Sequence, residues 1–323
     1  MSVNLNSGTV ESDDFEQHSE ALAPLWHVNF NQLSKGAFHA DLRYLQTDNF
    51  LLYTEHWNRS LQVEGESPEG CLMLGANSAP KFTWDGSQLS NHQLAIKHSK
   101  EAMDFTACGH HTVILIPYQN LGTVVGEERA DALLSHQHTI SCDRTLHAAF
   151  NRAVYQLAYR YQQSNTADQS ARIAARVDLE IGKLLNRIIR VGTAENNRSD
   201  DHLRRESLAR ALQVTRNLRL PVAIPELAKR VGVSQRTLEN AFQDSFGIPP
   251  AKYLRRRRLN QVRRALQRSS SKATTITKIG SSWGFTELGR MAVEYRALFG
   301  ESPSETLAVT PIQFTLRLPE RIG

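Results

Sequence analysis

With 323 residues, 40% of them apolar and 22% charged, the chain has the balance of a soluble globular protein with room for two ordinary domains. No uninterrupted apolar run nears the roughly 18 residues of a membrane span, and three cysteines (Cys71, Cys108, Cys142) are too few and oddly numbered for a disulfide framework. The net charge of +5 is unevenly spread: residues 1–200 carry 16 Lys+Arg against 23 Asp+Glu, and residues 201–323 carry 22 against 10. A basic C-terminal third beside an acidic remainder suits a nucleic-acid-binding module attached to something else, although a solvated basic surface gives the same count.

Residues 1–22 are polar and acidic and are expected to be loose. The first thirty residues hold five acids and no Lys or Arg, which fits neither a secretory nor a mitochondrial leader, so a cytoplasmic protein is expected. From Trp26 to about Gly126 short apolar stretches alternate with turn residues, as in NFLLYT (49–54), GCLML (70–74) and TVILIPY (112–118). That spacing predicts an all-β sandwich or barrel.

The period then changes. Residues 145–163 place Leu146, Phe150, Val154, Leu157 and Tyr161 on one helical stripe. A second helix over 168–191 aligns Ile173, Val177, Ile181, Leu184, Leu185 and Ile188. Its stripe suits the core and is also long enough to meet a second subunit, so a homodimer through 168–191 is one expectation. The sequence therefore divides into a β domain with two helices (23–192), a polar linker (193–203), a helical domain (204–310) and a tail (311–323).

The helical part contains a duplication. IPELAKRVGV (224–233) and ITKIGSSWGF (276–285) align at an offset of 52. Leu238 with Met291, Phe242 with Tyr295, Phe246 with Phe299 and Gly247 with Gly300 then align at 53, so one residue is inserted after the turn. Each copy reads as a helix-turn-helix. Ala228 and Gly280 are small where two helices must approach. Gly232 and Gly284 suit a left-handed turn residue, and Val233 and Phe285 pack that turn. Ser234 and Thr286 are expected N-caps of the second helices, and Leu238 and Phe242 anchor the first of these. Between the copies, PAKYLRRRRLNQVRRALQ (250–267) reads as a helix with Tyr253, Leu259, Val262 and Leu266 buried and Arg255–Arg258, Arg263 and Arg264 outside.

Three segments, ELAKRVGVSQRTLENAF, FGIPPAKYLRRRRLNQVRRAL and WGFTELGRMAVEYRALFGESPSETL, resemble the DNA-binding domain of AraC/XylS-type transcription regulators over about 205–307. The last segment is most similar to regulators of aromatic-acid catabolism and of ethanolamine utilisation. LSKGAFHADLRYLQTDNFLLYTEHWNRSL resembles the sensor domain of the latter more loosely. The resemblance implies an α+β two-domain protein: an N-terminal cupin-like β sandwich or barrel with two following helices, then an all-α domain with two helix-turn-helix units. It implies a transcriptional activator that binds double-stranded DNA, meets RNA polymerase and senses a small-molecule effector such as an amine or an aromatic acid.

Base readers belong on the exposed face of each second helix. Arg236 and Asn240 lie one turn apart there, and Arg suits guanine while Asn suits adenine. Arg290 is the expected reader of the second copy, and both Arg positions match the resemblance. Ser234, Gln235, Thr237, Gln243, Arg256, Thr286 and Glu287 are candidates for phosphate or flanking contacts. Phe38, Phe50, Trp57, Phe82 and Trp84 are candidate linings of an effector pocket, each more often simply core. Cys108, His110 and His111, or His136, His138 and Cys142, could supply metal ligands. His110 and His111 point to opposite faces of a strand, however, so no metal and no cofactor are expected. No nucleophile elbow, Walker loop or HExxH motif is present, and an enzyme is not expected. A ligand-independent architectural protein with an oligomerising N-terminal domain is the alternative reading.

Overall fold

The computed structural model describes residues 5–77, 82–90, 92–135, 139–161, 167–191, 199–216, 218–269 and 274–309. The expected tail (311–323), most of the expected linker (193–198), and His136 and His138 lie outside the described residues.

The N-terminal part runs β1 (Asn6–Ser12), α1 (Phe15–Leu22), β2 (Val28–Gln32), β3 (Ala40–Gln46), β4 (Leu51–Glu66), β5 (Cys71–Asn77), β6 (Phe82–Trp84), β7 (Ser87–Leu89), β8 (Gln93–Lys97) and β9 (Ala102–Pro117). The short helices α2 (Leu121–Val125) and α3 (Glu127–Ser135) and strand β10 (Thr139–Ser141) follow, then α4 (Arg144–Arg160) and α5 (Ala167–Val191). The antiparallel pair β4–β9 is the spine of the sheet, and its register shifts between Trp57 and Leu61. On either side of that shift β4 pairs with β3 and with β2, while β9 pairs with β5 and with β6.

Strand alternation sends Leu51, Tyr53 and Trp57 into one core and Leu52 with Ile114 and Ile116 into another. Burial on both faces explains the unbroken apolar run of 112–118. The second core is closed by α4 and α5, whose Val177, Ile181, Leu185 and Ile188 are at most 1% exposed. The α5 stripe is thus packed within the chain, the core role that the sequence also allowed.

The expected loose N-terminus is corrected, from Asn6 onward. Asp14 Oδ1 caps α1 by accepting from the backbone N–H of Glu16 at 2.7 Å. Phe15 is buried between Phe38 and Phe299, at ring distances of 6.0 and 6.1 Å. Composition alone misses these contacts because their partners lie far along the chain.

Among the described residues the C-terminal part has seven helices: α6 (Ser199–Thr215), α7 (Ile224–Val231), α8 (Gln235–Phe246), α9 (Pro250–Gln267), α10 (Ile276–Ser282), α11 (Leu288–Phe299) and α12 (Pro303–Ala308). α6 begins inside the span read as a linker. The first helix-turn-helix (α7–α8) has its own core with α6 and Tyr253, to which the β domain adds only Leu33. The second unit (α10–α11) is different. Its Phe285, Met291, Tyr295, Leu298 and Phe299 join the same core as Phe15, Phe30, Trp57 and Phe105.

Helix α9 makes that junction. Its apolar stripe is buried as expected, but Arg257, Arg263 and Arg264 are also buried, at 5–7% exposure, rather than outside. The reason is that its polar face docks on the β domain. Arg257 donates to both oxygens of Glu64 at 3.0 and 3.3 Å. Arg263 reaches Asp14 at 2.6 Å and Glu301 at 2.9 Å, and Arg264 reaches Glu16 at 2.7 Å and the Phe30 carbonyl. Asn260 exchanges two hydrogen bonds with the Gln32 backbone, at 2.8 and 3.1 Å. Burial would raise the Asp14 carboxyl, but Arg263 outweighs it and holds Asp14 below the usual carboxylate range.

Removing one partner of a buried ion pair strands the other. Arg257→Ala should therefore lower unfolding free energy by about 3–5 kcal/mol in denaturant titrations. Beside Arg257, burial and then the charge of Glu64 push the Asp104 carboxyl up to about 8. Between the ordinary value of 3.8 and about 8 the folded chain holds a proton that the unfolded chain has released. Stability should fall as pH rises through that window, and a thermal melt series should show a shallower fall in Asp104→Asn.

Candidate nucleic-acid interface

The first unit is built as its spacing requires. Gly232 closes α7 in the left-handed region at φ 79°, and the N–H of Val233 returns to the Ala228 carbonyl at 3.0 Å. Ser234 caps α8 by accepting from Thr237 N–H at 3.1 Å. Leu238 and Phe242 are fully buried, and Phe242 and Phe246 stack around Tyr253 at 5.1 and 4.5 Å. That packing leaves Ser234, Gln235, Arg236, Glu239, Asn240 and Gln243 exposed, with Thr237 half-buried. Gln235 bonds Glu239 at 2.7 Å. Arg236 and Asn240 have no side-chain partner among the described residues, so both are open to bases.

The second unit repeats this with differences. A Cβ on Gly280 would lie 2.8 Å from Leu288 and 2.9 Å from Met291, which is why a glycine stands where α10 crosses α11. Gly284 has φ 75°. The inserted residue lengthens the turn, so Glu287 rather than Thr286 occupies the N-cap position and makes no side-chain capping bond. Thr286 therefore does not cap α11, contrary to expectation. Thr286, Glu287, Arg290 and Val293 are all exposed, Val293 at 71%.

Arg290 is not free as Arg236 is. Its Nε donates to Glu294 Oε1 at 3.1 Å, and Glu287 lies 3.7 Å away. The other Glu294 oxygen accepts from Arg255 of α9. Burial raises the Glu294 carboxyl, but Arg255 and Arg290 outweigh this and hold it below the usual range. Glu294 therefore ties α9 to α11 through paired charges. Sequence spacing alone does not single it out, because its second partner is on a different helix.

The basic run of α9 divides by helical geometry. Arg255 and Arg258 flank Phe285 at 5.3 and 5.1 Å, and Arg258 donates to the Trp283 and Gly284 carbonyls at 3.4 and 3.5 Å. Arg256 donates to the Leu33 carbonyl, and burial lowers its pKa. The run is thus a set of internal braces rather than an exposed clamp, and Arg256 is turned toward the β domain.

Both reading helices meet the β domain at their C-terminal ends. Ser245 donates to the Gly86 carbonyl at 3.1 Å, and the Gly36 N–H reaches the Leu298 carbonyl at 3.0 Å. Their N-terminal halves, which hold Arg236 and Arg290, are the ends remote from those contacts. α9, 18 residues long, spans about 27 Å between the units.

Of the expected pocket residues, Phe38, Trp57, Phe82 and Trp84 share the first core, while Phe50 faces the second and does not join them. His111, not singled out by the sequence as a pocket residue, lies 4.3 Å from the Trp57 ring, and burial pushes its pKa down to about 4. No group of three or more His, Cys, Asp or Glu suited to a metal occurs among the described residues.

The helix-turn-helix domain family model matches residues 227–308. Over 102 residues the chain is 38% identical to the XylDLEGF operon transcriptional activator of Pseudomonas putida, 31% of this chain and 32% of that one. Over 93 residues it is 39% identical to the "Probable thc operon regulatory protein" of Rhodococcus erythropolis, 29% of this chain and 28% of that one. A solved AraC-type DNA-binding regulator from Chromobacterium violaceum is 34% identical, with 32% of this chain and 89% of that one aligned at a TM-score of 0.30. The chain thus matches about a third of the length of these curated relatives.

Arg236→Ala should weaken binding to a selected duplex by about 1–3 kcal/mol and relax one base position in a mobility-shift panel. Glu294→Gln should relax discrimination at the base read by Arg290 without lowering total affinity, because it removes a repulsive charge as well as a brace; unchanged discrimination contradicts the positioning role. Gly280→Val should cost about 1–3 kcal/mol of stability by overpacking the α10–α11 crossing, read by calorimetry.

Proposed function

We propose that this chain is an AraC/XylS-type transcription regulator that reads a specific duplex through α8 and α11 and activates transcription from it when its β domain takes up a small molecule. The observation that carries DNA reading is the pair of exposed second helices, one bearing Arg236 and Asn240 and the other Arg290, mounted on one rod. The basic excess of residues 201–323 supports the same reading by drawing in phosphate charge. Ser234, Gln235, Thr237, Gln243, Thr286 and Glu287 flank the readers and supply backbone or edge contacts. RNA polymerase is the partner that activation requires, and the cell compartment is the one that holds the DNA. No helix among the described residues is long and apolar enough to cross a membrane.

Effector sensing is supported by the interior of the β domain. The Tyr53 hydroxyl and the Trp84 indole N–H are buried without a hydrogen-bond partner; Phe82 and Phe105 lie against the Trp84 ring and Trp26 against the Tyr53 ring. Such groups cost stability until something bonds to them, which suits a site for an aromatic or amine-bearing metabolite. Because the second reading unit shares this core, a ligand that shifts Trp57 or Phe30 acts on α11 through contiguous packing.

The test is a duplex selected from a randomised pool. Affinity should fall steeply as salt rises; a flat salt response contradicts phosphate-driven binding. A thermal-shift panel of amines and aromatic carboxylates on the full chain should raise the melting temperature with at least one compound, and Tyr53→Phe with Trp84→Phe should abolish that rise. No shift across the panel favours the ligand-independent architectural reading.

A further inference from the structure

Between the two domains lies a cleft of about 1110 Å³ that neither the DNA-reading faces nor the β interior accounts for. Its size is that of a small-molecule site. One wall comes from the β domain, through Trp26, His27, Asn29 and the Glu64–Glu69 turn. The other comes from the helical domain, through the α6–α7 connector, α9 and Trp283.

The charges in this cleft do not balance. Six cationic side chains line it, against Glu64, Glu66 and Glu69. Arg257 is engaged by Glu64, Arg264 by Glu16, and Lys100 by Glu69 at 2.6 Å. Arg216, Arg219 and Arg268 have no carboxylate partner among the described residues. Arg219 is nonetheless held in place, stacked 5.5 Å over the Trp283 ring. The opposite wall also offers Trp26, whose buried indole N–H has no acceptor.

We propose that this cleft binds a small polyanion, a molecule with two or more phosphate or carboxylate groups, through Arg216, Arg219 and Arg268. Guanidinium groups without a carboxylate partner, lining one cleft from a connector and a helix end, offer the forked N–H donors that such oxygens accept from. A duplex backbone fits less well, because its phosphates would also run past Glu66 and Glu69 on the facing wall. The occupant would bridge the domains. It would tie the connector and the Trp283 turn of the second reading unit to the β domain and so favour the docked arrangement of α9.

Isothermal titration of the full chain at low salt, with sodium pyrophosphate and with citrate in separate arms, tests this. At least one should bind with one site per chain. Binding of pyrophosphate alone identifies phosphoryl groups, and binding of citrate alone identifies carboxylates. The double variant R219Q/R268Q should weaken that binding by roughly tenfold or more, since each lost charged hydrogen bond is a sizeable fraction of a small ligand's affinity. Its unliganded melting temperature should fall only slightly, because neither side chain is in an ion pair and only the Arg219–Trp283 stacking is lost. The proposal is overturned if neither anion binds at millimolar concentration or if binding survives the double variant. It is equally overturned if the variant keeps anion binding and loses affinity for the selected duplex, which would place these arginines on DNA. Failure here leaves Arg236 and Arg290 untouched, so it is distinguishable from failure of DNA reading.

Discussion

The structure depends on the burial of α9 where it faces the β domain and the second unit. A helix carrying six arginines can be enclosed only where each buried guanidinium meets a carboxylate or a carbonyl, because an unpaired charge inside a protein is prohibitively costly. Asp14, Glu16 and Glu64 from the β domain and Glu294 and Glu301 from the second reading unit meet that need. The acidic and basic halves of the sequence are therefore complementary surfaces as well as a DNA-binding signature. Some of the positive charge that suggests nucleic acid is used inside the molecule.

This arrangement makes the two reading units unequal. The first folds around its own core, and Arg236, its proposed reader, is open. The second shares its core with the β domain, and Arg290, its proposed reader, is held by Glu294, which Arg255 braces in turn. A change in the β domain thus reaches α11 through a shared apolar core and α8 through the Ser245–Gly86 contact and Leu33. The first unit would anchor the protein on its site, and the second would carry the regulated part of the contact.

Much of this was legible in the sequence, wherever local rules decide. The duplication located both helix-turn-helix units, because a small residue at Ala228 or Gly280, a left-handed glycine and a terminal Phe-Gly are local demands. α9 was bounded at Pro250 and Gln267 by the same means. The β domain and its two helices followed from period and turn residues. What escaped depends on long-range partners. Arg257 and Arg264 look solvated until Glu64 and Glu16 are folded against them. The α5 stripe suits a dimer as well as a core, and the acidic start looks loose until Asp14 finds both the α1 amides and Arg263. Thr286 was misplaced as a cap because one inserted residue moves the start of α11.

Two exposed reading helices on a shared rod form the central claim, and hydroxyl-radical footprinting on a selected duplex tests it most directly. The account predicts two protected stretches centred about one helical turn apart, roughly 10 base pairs, on one face of the duplex. A single protected stretch, or two that fall on opposite faces, would contradict it.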